Sequence, residues 1–126
     1  MRSPGEIYLD IHSEESGGTL YRVKNENGVQ FLYDYSEYDA ERDDTRIFKK
    51  LFPDFESFWK HIKQKNPQWY YLHPLYVHPE QRDFIGRELK SANWSSQEGM
   101  KWQESHQRQW KKVLTDPPGY YEPPAQ

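Results

Sequence analysis

The chain has 126 residues, with 17 Lys+Arg against 20 Asp+Glu and a formal net charge of −3. That length suits one compact domain, and the lack of cysteine excludes a disulfide scaffold, a thiol nucleophile and any cysteine metal centre. Leu, Ile, Val and Phe together make up under a fifth of the residues, a level that accompanies disorder when net charge is high; here the charge is small, and 5 Trp and 10 Tyr supply the apolar surface of an aromatic-rich core.

Glu6-Ile7-Tyr8-Leu9-Asp10-Ile11 reads as a short strand with Ile7, Leu9 and Ile11 on one face, and His12 to Gly18 reads as a loop. Thr19–Val23 and Val29–Tyr35 then flank Lys24-Asn25-Glu26-Asn27-Gly28, whose Asn-Gly pair tolerates positive φ and predicts a hairpin. In its second arm Val29, Phe31, Tyr33 and Tyr35 share one face. The acidic segment leaves the end of this arm. Asp43 or Asp44 can cap a helix over Thr45–Leu51 that Pro53 ends. Asp54 caps a second helix, Phe55 to Lys65, with Phe55, Phe58, Trp59 and Ile62 as its apolar stripe and Lys60, Lys63 and Lys65 in its last turns.

Trp69–Leu72 and Leu75–Val77 read as extended, because His73 and His78 each precede a proline and avoid the α region. Pro79 opens a helix to about Ala92, with Phe84, Ile85, Leu89 and Ala92 facing inward. Ser95-Ser96-Gln97-Glu98 fits a capping box for a last helix carrying Trp102, His106, Trp110, Val113 and Leu114 at helical spacing. Asp116-Pro117-Pro118-Gly119 closes it. Although Pro117-Pro118-Gly119-Tyr120 matches a Pro-Pro-x-Tyr docking pattern, its composition is that of a helix stop. The expected fold is α+β: an antiparallel sheet from the N-terminal half against three or four helices, with residues 1–115 as one domain and 116–126 as a Pro-rich tail.

Charge is distributed unevenly. Residues 1–45 hold four bases against eleven acids, a net of −7, whereas residues 46–126 hold thirteen bases against nine acids, a net of +4. The acids are densest between Tyr33 and Asp44, where Asp34, Glu37, Asp39, Glu41, Asp43 and Asp44 alternate with Tyr33, Tyr35 and Tyr38. Such a segment repels polyanions and attracts a basic protein surface. It is read either as a contact surface or as a solvated loop whose acids pair with the basic second part.

Catalytic and ligand motifs are weaker. Residues five apart on a strand face opposite ways, so His73 and His78 do not predict a joint zinc site, and neither metal nor cofactor is expected. The set His73, His78, Glu80, Arg82 and Tyr76 can be written as an acid–base constellation without a geometry to support it. No phosphate-binding glycine loop and no hydrolase or metalloprotease signature occurs. A basic strip of Arg46, Lys49, Lys50, Lys60, Lys63 and Lys65 beside Phe48, Phe52 and Trp59 has the composition of a single-strand binder. The sequence pI of 5.9 lies far from the basic footprint of such a domain, so no nucleic acid partner is expected. No run of about 20 apolar residues could cross a bilayer, and no signal-peptide pattern opens the chain. The expectation is a cytoplasmic protein without a membrane role.

The aromatic hairpin, the acidic run from Asp34 to Asp44 and the segment Phe52-Pro53-Asp54-Phe55-Glu56-Ser57-Phe58-Trp59 give residues 19–90 a layout that resembles small immunity proteins of bacterial toxin systems, including contact-dependent growth inhibition. The resemblance implies a non-enzymatic toxin inhibitor whose partner is a basic, nuclease-type toxin domain. Asp34, Tyr35, Glu37, Tyr38, Asp39, Glu41, Asp43 and Asp44 are then the expected contact residues, since acids raise the association rate and tyrosines anchor interfaces. The alternative is a small enzyme or nucleic-acid-processing protein using His73, His78, Glu80 and Arg82.

Overall fold

Runs of β-branched and aromatic residues build the first four elements of the computed structural model, which describes residues 5–12, 16–26, 28–92 and 100–121, the side chains of 16 and 100–103 excepted. They are β1 (Glu6–His12), β2 (Ser16–Asn25), β3 (Gly28–Asp39) and β4 (Asp44–Phe52). With β5 (His73–Val77) they form an antiparallel sheet of order β4-β3-β2-β1-β5. The helices are α1 (Phe55–Lys65), α2 (Arg82–Lys90) and α3 (Met100–Thr115), with 3-10 turns at Trp69–Tyr71 and Pro79–Gln81. The class is α+β, with three α-helices among the described residues.

The predicted helix over Thr45–Leu51 is instead strand β4. Ile47, Phe48, Leu51 and Phe52 satisfy helical spacing, but they also place two apolar residues on each face of a strand. The choice is made by β3, against which β4 forms an unbroken register from Phe31↔Phe52 through Tyr35↔Phe48 to Asp39↔Asp44. A seven-residue helix is marginal alone, and cross-strand aromatic pairs outweigh it. The acidic run is likewise not a loop: it finishes β3, turns over residues 40–43 and opens β4.

Three smaller corrections have local causes. In β1, Tyr8 is an extra residue between the pairs Ile7↔Tyr21 and Leu9↔Leu20, so Ile7 and Leu9 take opposite faces and Tyr8 turns into the core. β2 starts at Ser16 because Gly18 lies beneath the Tyr33 ring; a Cβ there would sit 2.5 Å from the ring edge. Trp69–Tyr71 forms a 3-10 turn, not a strand, which buries Trp69 and Tyr70 together. The hairpin turn uses Gly28 at φ +97°, paired with Asn25. Asn27 and the Ser95–Glu98 capping box lie outside the described residues.

Helix α1 follows the sequence closely. The Asp54 carboxylate accepts the Ser57 amide at 2.7 Å, and Phe55, Phe58, Trp59 and Ile62 are all buried. They pack on the face of the sheet that carries Leu20, Phe31, Tyr33 and Phe52. Three indoles then run across the helical layer: Trp59 meets Trp69 at 4.7 Å, and Trp69 meets Trp110 of α3 at 5.6 Å, both edge-on. The opposite face of the sheet carries no helix among the described residues. There Ile7, Tyr21, Leu32 and Leu51 stand side by side across four strands.

The tail is fixed at the β5 edge. Tyr121 donates its amide to Leu75 O at 2.9 Å, and the buried Gln109 amide donates to Pro74 O and Tyr121 O at 2.8 and 2.6 Å. Tyr120 stacks on Tyr76 at 5.3 Å.

Candidate protein-binding surface

Beyond Glu37 and Arg46 the β3–β4 hairpin outruns α1. Residues 36–47 include none that is buried, and Asp39 stands about 13 Å beyond Tyr35 at the rise of a strand. Its tip, Ala40-Glu41-Arg42-Asp43, is shaped by its own acids. Asp39 accepts the amides of Glu41 and Arg42 at 3.1 and 3.4 Å, and Tyr38 donates its hydroxyl to Asp43, which holds φ +47°. Arg42 lies 3.8 Å from Asp39. A shallow recess of about 350 Å³ is lined by Glu37, Tyr38, Asp39, Glu41, Arg46 and Phe48, among others.

The eight expected contact residues thus divide. Tyr35 belongs to the packing: its ring stacks between Tyr33 and Phe48 at 4.7 and 5.2 Å, with Lys65 Nζ 5.2 Å above it. Glu37 accepts a hydrogen bond from Lys65, which first of all raises the lysine's pKa, and faces Arg46 across the ladder. Asp34 is paired in register with Lys49. Glu41, Asp43 and Asp44 are exposed at the tip, and Tyr38 beside them is 40% exposed. Part of the acidic run is thus paired with basic residues, and part of it is exposed.

The acid–base alternative also divides. His73 stacks on His106 of α3 at 4.1 Å, whereas His78 stacks on Tyr8 at 4.0 Å, so the two imidazoles do not converge. His78 Nδ1 accepts the Glu80 amide at 3.1 Å, which leaves its proton on Nε2, 3.5 Å from Glu6 Oε2. Tyr8 donates its hydroxyl to Glu80, a partner the sequence did not suggest because 72 positions separate them. Burial, then that hydrogen bond, pushes the Tyr8 phenol far above its ordinary pKa. Glu80 and His78 thereby satisfy a tyrosine that reaches out of the core. Among the described residues no group of three His, Asp or Glu side chains could hold a metal ion.

The basic strip is dispersed as well. Trp59 and Phe52 are core residues, Lys63 is 2.7 Å from Glu88, and Lys65 is tied to Glu37. No helix among the described residues is long and apolar enough to cross a membrane. The chain matches no protein-family model, no curated protein and no solved structure.

Proposed function

We propose that this domain acts by binding: it is an immunity-type inhibitor that captures a basic protein, of the class of a bacterial nuclease toxin domain, in the cytoplasm. The observation that supports this most is the projecting hairpin, which carries exposed Glu41, Asp43 and Asp44 around Tyr38 where no core packing requires them. The contact surface narrows from eight residues to Tyr38, Asp39, Glu41, Asp43 and Asp44, because Asp34, Tyr35 and Glu37 already serve the ladder and α1. Carboxylates at such a rim steer a cationic partner, and a tyrosine between them anchors it.

The test is binding kinetics against the protein encoded by the adjacent gene, at low and moderate salt. Glu41→Gln, Asp43→Asn or Asp44→Asn should slow association and flatten its salt dependence with little change in dissociation. Tyr38→Ala should instead speed dissociation, at a cost of about 2 kcal/mol or more. If the triple neutralisation leaves both rate constants unchanged, the tip is not the contact surface and the reading fails.

A further inference from the structure

Among the described residues the β4 edge of the sheet is open along its whole length. It spans nine residues, Asp44–Phe52, with no bulge in its ladder to β3 and no proline inside it. Among the described residues nothing pairs with its outer side, because β4 ends the strand order. Ile47, the fourth of its nine residues, is the most exposed large apolar residue described, at 73%, and Leu51 is 51% exposed. Sheets usually blunt such an edge with charge, proline, bulges or brevity. Here charge alone is present, as Asp44, Arg46, Lys49 and Lys50.

Those charges do not exclude every neighbour; with the length of strand paired, they favour one. A second copy placed edge to edge about a two-fold axis pairs antiparallel and keeps each face of the sheet continuous, so one residue must pair with its own counterpart. Centring on Arg46, Lys49 or Lys50 opposes two like charges at the axis. Centring on Phe48 sets Arg46 against Lys50 twice. Centring on Ile47 opposes no like charges within the strand and sets Asp44 against Lys50 twice. It also places Arg46 across from Phe48 and brings the two exposed Ile47 side chains together on the axis. A Thr45 centre also joins opposite charges, Asp44 to Arg46, but pairs only three residues of the strand and leaves Ile47 uncovered; the Ile47 register pairs seven and covers the most exposed apolar residue.

We infer that β4 is a self-association edge: two copies of this chain join antiparallel through Asp44–Lys50, centred on Ile47, to form one continuous sheet. The contact is a single strand pair, so association is concentration-dependent. It needs no other partner, so its failure is distinguishable from failure of toxin binding at the tip.

The experiment is sedimentation equilibrium of the purified chain across a concentration series, with circular dichroism and thermal melts to confirm folding. The wild type should move from 15.3 kDa towards twice that mass. Ile47→Asp should raise the dimer dissociation constant about tenfold or more while the melting temperature is kept. Asp44→Lys and Lys50→Asp should each be monomeric alone, since each opposes like charges. Mixed together they should form a heterodimer, because each copy then supplies the charge the other lacks. A wild type that stays monomeric at its highest soluble concentration overturns the proposal. So does a dimer indifferent to Ile47→Asp, or two charge variants that do not complement each other.

Discussion

At one edge of the sheet β5 runs for five residues, contains Pro74, meets β1 through a bulge and has the tail laid along it. At the other edge β4 runs for nine residues, straight, proline-free and charged. β5 is closed by covalently attached structure, whereas among the described residues β4 is guarded only by electrostatics, which a complementary pattern can satisfy. Closure by chain is unconditional; closure by charge depends on what arrives, on salt and on pH. The one edge is finished within the fold, and the other is finished by its surroundings.

The largest test asks whether both edges rest on one core. Trp59 belongs to α1, whose Phe58 and His61 meet Phe52 of β4, and its indole meets Trp69, which meets Trp110 beneath β5. Trp59→Ala should cost about 3–5 kcal/mol and lower the melting temperature of the whole domain in a single transition. Two separate transitions would mean that the edges belong to independent halves.

A smaller effect should open the closed edge. Gln109→Ala removes the amide that holds both Pro74 O and Tyr121 O. Losing buried hydrogen bonds of this kind costs about 1–3 kcal/mol. Amide exchange at Tyr121 should accelerate beyond what the global loss of stability explains.

Acid should act on two sites in separate windows. His61, beneath Tyr33, Tyr35 and Phe52 on the β4 side, has its pKa lowered by burial first and then by Lys50 and Lys65. The unfolded chain therefore binds a proton that the folded one refuses. This stability is complete above the ordinary imidazole value of about 6.5 and is lost as pH falls below it. Glu88 has its pKa lowered chiefly by the Lys63 hydrogen bond, so its contribution persists above the ordinary carboxyl range and disappears only at more acid pH. His61→Gln should flatten the upper limb of a stability–pH curve and leave the lower one; Glu88→Gln should do the reverse.

The smallest effect is expected where the open edge is most apolar. Ile47→Asp should change the stability of the isolated chain by under about 0.5 kcal/mol, since nothing in the fold uses that side chain. A large loss in dilute solution would show that β4 depends on Ile47 within its own sheet.

Local signals were legible in proportion to their range. The Asp54 cap and the Phe55–Ile62 stripe act within one helix, and α1 stands where they place it. The alternation of Val29 to Tyr35 acts within one strand, and β3 buries Phe31 and Tyr33 as expected. β4 was not legible, since its spacing serves either period and only β3 decides between them. In the candidate surface the concentration of acids and tyrosines is visible in the residues. Which of them are occupied is not, because Lys65 reaches Glu37 across 28 positions and Tyr35 is enclosed by register with Phe48.

The bond from Tyr121 to Leu75 has a consequence for synthesis. As the chain leaves the ribosome, β1 to β4 can pair in order of emergence, each strand with the one made just before it. The far side of β1 must wait for β5, made some sixty residues later, and β5 must wait in turn for residue 121. Throughout that interval the nascent domain presents two open edges instead of one. The step that reduces them to one waits until residue 121 has emerged, so until then mispairing is a hazard on polysomes, where identical half-made chains are neighbours.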